Sequence, residues 1–182
     1  MKFTPLPLAG AWRVELEPRG DSRGFFARLF CAEEFAAHGL ETRWVQCNTS
    51  LSAAAGTIRG LHFQRPPMAE VKLVRCLRGA IWDVIVDLRE GSPTYGRWHG
   101  ERLDDQNRSM LYVPKGFAHG FQTLTDGVEM LYFHAEAYSA AHEGGLRWND
   151  PAVAIDWPLD LTEQSARDAA FPGLDKLEPI RI

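Results

Sequence analysis

Arginine and histidine stand three residues apart in Arg59-Gly60-Leu61-His62-Phe63-Gln64, an otherwise apolar hexapeptide. An imidazole beside a guanidinium can hold an anion and move a proton in one place. On a strand, alternation sends Leu61 and Phe63 to one face and His62 to the other. Arg59 then points away from His62 unless Gly60 bends or bulges the strand. The alternative on these residues alone is a surface strand with two polar side chains.

Two of the six histidines stand out by context. Besides His62, His119 lies in Pro114-Lys115-Gly116-Phe117-Ala118-His119-Gly120-Phe121, where proline and glycines predict a tight bend that holds the ring at a rim. It reads equally as a turn histidine bonded to backbone. His38, His99, His134 and His142 read as solvent or packing residues. A barrel metal site would need two histidines one residue apart and a nearby carboxylate. His62 is followed by Phe63 and Gln64, so no metal is expected.

Lys72 occurs in Glu70-Val71-Lys72-Leu73-Val74, sharing a strand face with Glu70 and Val74. A lysine facing a barrel interior is costly unless it meets an anion; otherwise it belongs on the outside. Tyr132, in Met130-Leu131-Tyr132-Phe133, reads as a core aromatic or as a phenol available for chemistry.

The elements that must position these residues are short strands separated by turn residues. Strands are predicted over 11–16, 24–30, 44–48, 56–63, 71–77, 80–88, 95–103, 109–113, 120–123 and 128–137, with a turn at 18–21. Arg78-Gly79 reads as a hairpin between two of them. A short helix over 32–38 stops at Gly39, and a few helical residues fall within 162–170. In Ile81–Asp87, Trp82, Val84 and Val86 make one wholly apolar face that must be core. This pattern predicts an all-β sandwich or barrel, in one domain spanning 1–182.

At 182 residues such a domain buries roughly two-thirds of its unfolded surface. A net charge of −4 with no basic tract or RNP-like aromatic run argues against a nucleic-acid partner. The apolar runs are too short to span a bilayer, and Met1-Lys2-Phe3 does not open a signal peptide. Cys31, Cys47 and Cys76 suit reduced, partly buried thiols in a cytoplasmic protein.

Ordered motifs from about residue 20 to 174 carry a resemblance. They are Asp21-x-Arg23-Gly24-Phe25-Phe26, Gln46-x-Asn48-x-Ser50, the Arg59–Gln64 hexapeptide, Lys72-Leu73-Val74-Arg75, Val84-x-Val86-Asp87-Leu88-Arg89 and Ser92-Pro93-Thr94-Tyr95-Gly96. Gly116–Phe121, Trp148-Asn149-Asp150-Pro151 and Ser165-Ala166-Arg167-Asp168 complete the set. The chain resembles the dTDP-4-dehydrorhamnose 3,5-epimerases. The resemblance implies a jelly-roll, cupin-like β-barrel with a few short helices. It also implies a nucleotide-linked 4-keto-6-deoxyhexose as substrate, most simply dTDP-linked, no cofactor, and a homodimer that exchanges N-terminal strand contacts.

In that family a base removes a hydrogen made acidic by the C4 ketone, and the enolate is reprotonated from the opposite face. By resemblance His62 is the base, Asp168 its carboxylate partner, Lys72 the cation beside O4 and Tyr132 the opposing acid. Arg23, Arg59 and His119 match diphosphate-binding groups. Gln46, Asn48, Tyr138, Glu143 and Arg167 match further nucleotide-sugar contacts. Two positions depart from the family. Arg28 stands where a glutamate is usual, exchanging an acceptor for a donor among the substrate contacts and leaving the nucleobase open. Phe133 follows Tyr132 where lysine is common. The competing functions are a single-carbon epimerase or ketoisomerase, a non-catalytic carbohydrate- or nucleotide-binding barrel, and a metal-dependent barrel enzyme.

Overall fold

The computed structural model describes residues 1–182. Its frame is two antiparallel sheets packed face to face. The six-stranded sheet runs in the order β1 (Lys2–Pro5), β2 (Trp12–Glu15), β10 (Met110–Val113), β7 (Lys72–Arg78), β12 (Val128–His134), β5 (Gln46–Ser52). The five-stranded sheet runs β13 (Glu143–Gly145), β6 (Ile58–Gln64), β11 (Phe117–Thr123), β8 (Ala80–Asp87), β9 (Trp98–Asp104). A separate hairpin joins β3 (Arg19–Asp21) to β4 (Gly24–Phe26). Helices are confined to α1 (Ala32–Ala37), α2 (Ala166–Ala169) and a 3-10 turn at Leu174–Lys176. This is the expected all-β jelly roll with few short helices.

Alternation along the strands builds three apolar layers. Val74, Cys76, Leu111 and Met130 from one sheet meet Ile81, Ile85, Leu103 and Phe121 from the other. The outer face of the five-stranded sheet, with Leu61, Phe63, Val84 and Val86, is covered by Leu146, Val153 and Ile180 of the C-terminal segment. The outer face of the six-stranded sheet packs on Phe35 of α1 and on Leu40. Each fully buried Leu, Ile or Phe contributes about 1.5–3 kcal/mol, so these layers are the main stabilising term. The apolar face of Ile81–Asp87 is core as expected, but it lies under the tail. Its supposedly polar face is the one that enters the space between the sheets, with Asp83 fully buried.

Several local expectations need correction. Arg78-Gly79 reverses the chain without making a hairpin: β7 and β8 belong to different sheets. Gly79 (φ +77°) turns that corner, its N–H donating to Asp105 Oδ2 at 2.9 Å. A turn dipeptide encodes reversal, whereas pairing is decided by which sheet each strand packs in. Arg19–Asp21, expected as turn, is a strand, and the reversal falls at Ser22-Arg23. Strands β1 and β13 were not expected. His119 sits in mid-strand and is 5% exposed, because β11 begins at Phe117 and not at Gly120. Among the cysteines Cys76 is buried and Cys31 partly so, but Cys47 is exposed on the edge strand β5.

The Gly60 hinge behaves as the hexapeptide required. Gly60 has φ +121°, and the β6–β11 register shifts between His119 and Phe121. A Cβ on Gly60 would sit 2.6 Å from Gly120 Cα and 2.8 Å from the His119 carbonyl oxygen. Gly60→Ala is therefore expected to destabilise the fold by more than about 1 kcal/mol, through both the left-handed backbone and the clash. Urea unfolding measures it, and an unchanged midpoint would contradict the close approach.

Candidate active site

A cavity of about 570 Å³ opens between the sheets. One wall carries Arg59, His62 and His119 from the five-stranded sheet. The other carries Lys72, Tyr132 and His134, with Asn48 and Ser50 of the edge strand. His62 and His119 lie directly across from each other in the β6–β11 ladder. The bulge at Gly60 brings Arg59 onto the same cavity as His62, where it is held by Ser52 Oγ and the Leu51 carbonyl, each at 2.9 Å.

His62 Nε2 donates to Asp168 Oδ1 at 2.9 Å, and the other carboxylate oxygen accepts from Gly60 N–H at 2.9 Å. With Nε2 protonated toward the carboxylate, Nδ1 keeps the lone pair that can take up a proton. Arg167 also lies 3.1 Å from Nε2, and Phe171 packs edge-on against the ring. Asp168 is delivered by α2, whose N-cap Ser165 accepts from the Asp168 N–H at 3.0 Å. Burial pushes the Asp168 carboxyl up. The hydrogen bond and charge of His62, with the Gly60 and Ser165 bonds, outweigh burial and hold it well below the usual range.

On the facing wall, Tyr132 shares a 2.9 Å hydrogen bond with Ser50. Burial pushes its phenol up to about 12, only partly offset by Ser50, so it stays protonated at neutral pH. Lys72 Nζ donates to the His62 carbonyl at 3.4 Å and pairs with Glu70 Oε1 at 3.2 Å. It points inward, with Glu70 as the anion an inward lysine requires.

The remaining expected contacts divide. Asn48 lines the cavity, and Gln46 bonds it at 3.3 Å. At the rim, Tyr138 Oη donates to Glu143 at 3.0 Å, and Glu143 pairs with Arg167 at 3.1 Å. Arg23 and Arg28 lie outside this cavity. Arg23 is exposed at the β3–β4 turn on Asp21, and Arg28 pairs with Glu34 at 2.6 Å in a separate hollow with Met1 and Glu17.

Four residues of the site had no functional role in the sequence reading, although Ser50 and Glu70 were named there. Asp83 accepts from His119 Nε2 at 2.7 Å; burial raises its carboxyl, and the charge and hydrogen bond of His119 offset this only in part. His134, taken for a packing residue, faces the cavity with Nδ1 donating to Glu70 at 2.7 Å. Ser50 and Glu70 complete the set. Asp83 was legible as a carboxylate in phase with Ile81 and Ile85. His134 was legible as the residue two beyond Tyr132 on the same strand face. No three His, Cys, Asp or Glu side chains converge as a metal-binding group, and no helix is long and apolar enough to cross a membrane.

A jelly roll whose cavity sets a histidine, backed by a carboxylate from α2, opposite a protonated phenol and a lysine fits an isomerase-class protein. The chain belongs to the dTDP-4-dehydrorhamnose 3,5-epimerase family, whose model matches residues 5–176. A dTDP-4-dehydrorhamnose 3,5-epimerase of Sinorhizobium fredii is 46% identical over 178 residues, covering 97% of this chain and 91% of that protein. A dTDP-4-dehydrorhamnose 3-epimerase of Streptomyces niveus is 43% identical over 169 residues, covering 92% and 81%. The crystal structure of the Bacillus anthracis 3,5-epimerase with TDP and PPi bound superposes with a TM-score of 0.92 at 44% identity, covering 95% of this chain and 99% of that one.

The depressed Asp168 value sets a pH dependence. A carboxyl whose folded value lies below its ordinary 3.8 contributes stability that is complete above that value and is lost as pH falls toward the folded one. Below about pH 4.5, wild-type protein is expected to lose urea stability more steeply than Asp168→Asn. Parallel pH curves for the two proteins would contradict the His62–Asp168–Gly60 bonding.

Proposed function

We propose that this protein inverts both C3 and C5 of a dTDP-linked 4-keto-6-deoxyhexose, working as one domain. One observation carries the reading: His62, backed by Asp168 of α2, stands on one sheet, Tyr132 with Lys72 on the other, and a cavity lies between. The C4 ketone acidifies the hydrogens on C3 and C5. His62 takes one of them, and the electrons move onto O4, where Lys72 meets the developing charge. The phenol of Tyr132 then protonates the carbon from the opposite face, which inverts it. Asp168 keeps the imidazole in one tautomer and stabilises its protonated form. Arg59 and His119 sit on the same wall as His62, suited to diphosphate oxygens, while Gln46, Asn48, Tyr138, Glu143 and Arg167 mark the path of the nucleotide sugar.

A homodimer in the cytoplasm fits this reading. The β3–β4 hairpin pairs with no other strand and leaves Phe25 and Phe26 51% and 75% exposed, beside Arg23. Arg28, paired with Glu34 outside the cavity, makes no contact in this chain that selects a nucleobase.

Incubation with the keto sugar nucleotide in deuterated water is expected to place deuterium at both C3 and C5. Label at C3 alone would replace this reading with the 3-epimerase activity named for the Streptomyces niveus relative. His62→Ala should lower exchange by about 10²–10⁴-fold while retaining dTDP binding. Tyr132→Phe separates the two half-reactions, since exchange without inversion should persist. Inversion at the wild-type rate in that variant would exclude the phenol as acid. A screen across dTDP, UDP, CDP and GDP carriers is expected to rank dTDP first, and another ranking would overturn the dTDP assignment.

A further inference from the structure

Lys72 is 8% exposed, and a buried ammonium keeps its proton only beside a compensating charge. Glu70 supplies that charge and is itself fixed from the other side. Its Oε1 lies 3.2 Å from Lys72 Nζ and its Oε2 accepts from His134 Nδ1 at 2.7 Å. Lys72 and His134 are direct partners in the β7–β12 ladder, so the carboxylate bridges neighbouring strands on the cavity face. On its far side, His134 Nε2 lies 3.4 Å from Asn48 Nδ2. Burial raises the Glu70 carboxyl, but the His134 bond and the Lys72 charge outweigh it, and Glu70 stays ionised.

We propose that Glu70 and His134 are a positioning pair for Lys72, with the imidazole orienting the carboxylate and the carboxylate holding the ammonium charged and aimed. This rests on the epimerase reading. An ammonium has three donors. Glu70 takes one and the His62 carbonyl takes another at 3.4 Å, so the third is set by geometry toward the substrate. The same ammonium is faced by His62 and Arg59 of β6, Asp83 of β8, His119 of β11 and Tyr132 of β12, all of which the variants below leave in place.

The test compares wild type, Glu70→Gln and His134→Asn by solvent exchange into the dTDP-linked keto sugar across pH 6–10. In parallel, 15N NMR follows Lys72 Nζ without substrate, assigned through Lys72→Arg. Glutamine keeps the shape and an acceptor but not the charge. Its alkaline loss of kcat should begin about one pH unit lower, roughly a tenfold deficit at the basic end, with KM little changed. Lys72 Nζ should titrate lower by a similar amount, and His134→Asn should shift both in the same direction by less. An alkaline limb and an Nζ titration coincident with wild type in Glu70→Gln would overturn the proposal. If Glu70→Gln fails to fold, the Nζ titration of His134→Asn decides it in the same way. A wild-type protein that exchanges no hydrogen would defeat the epimerase reading alone, because the Nζ titration still reports the coupling.

Discussion

The carboxylate of Asp168 ties the short helix α2 to β6 across more than 100 residues of chain. One oxygen accepts the His62 imidazole and the other the Gly60 amide, so the C-terminal segment is pinned to β6 at its bulge. The same bulge turns Arg59 inward. Ser165, as N-cap, keeps the short helix α2 from drifting and so fixes the carboxylate. Removing that group would free the tautomer of His62 and leave the Gly60 N–H without its acceptor.

The cavity it organises is unusually charged for a space between sheets, and every buried charge in it has a partner. His119 answers Asp83, Glu70 answers both Lys72 and His134, and Asp168 answers His62. An unpaired buried charge costs several kcal/mol, so such pairs set side-chain direction as much as they add stability. Direction is what proton transfer needs. A base and an acid on the same sheet would return the proton to the face it left, whereas base and acid on opposed sheets address opposite faces.

Much of this was legible before any coordinates. Periodicity was enough for an all-β fold, and alternation put Lys72 on one strand face with Glu70 without deciding whether that face was inward. The need for Gly60 to bend the strand followed from the three-residue spacing of Arg59 and His62. Errors fell where local signals stand in for long-range ones. The Arg78-Gly79 turn marks a corner between sheets, and Gly116 turns the chain ahead of β11 while Gly120, beside His119, marks the close approach of β6. His134 went unrecognised because a lone histidine carries no mark of the glutamate that faces it across a strand.

The sequence by itself determined the fold class and the family, and singled out His62, Lys72, Tyr132 and Asp168 among the titratable groups, because alternation and motif order are written in neighbouring residues. Tertiary structure decided which of those groups share a cavity and how each is held. Asp168 meets His62 across 106 residues of chain, and His134 meets Glu70 across 64. Such pairs form only when sheets stack and the tail folds back, since their energies depend on distance and burial, which separation along the chain does not encode.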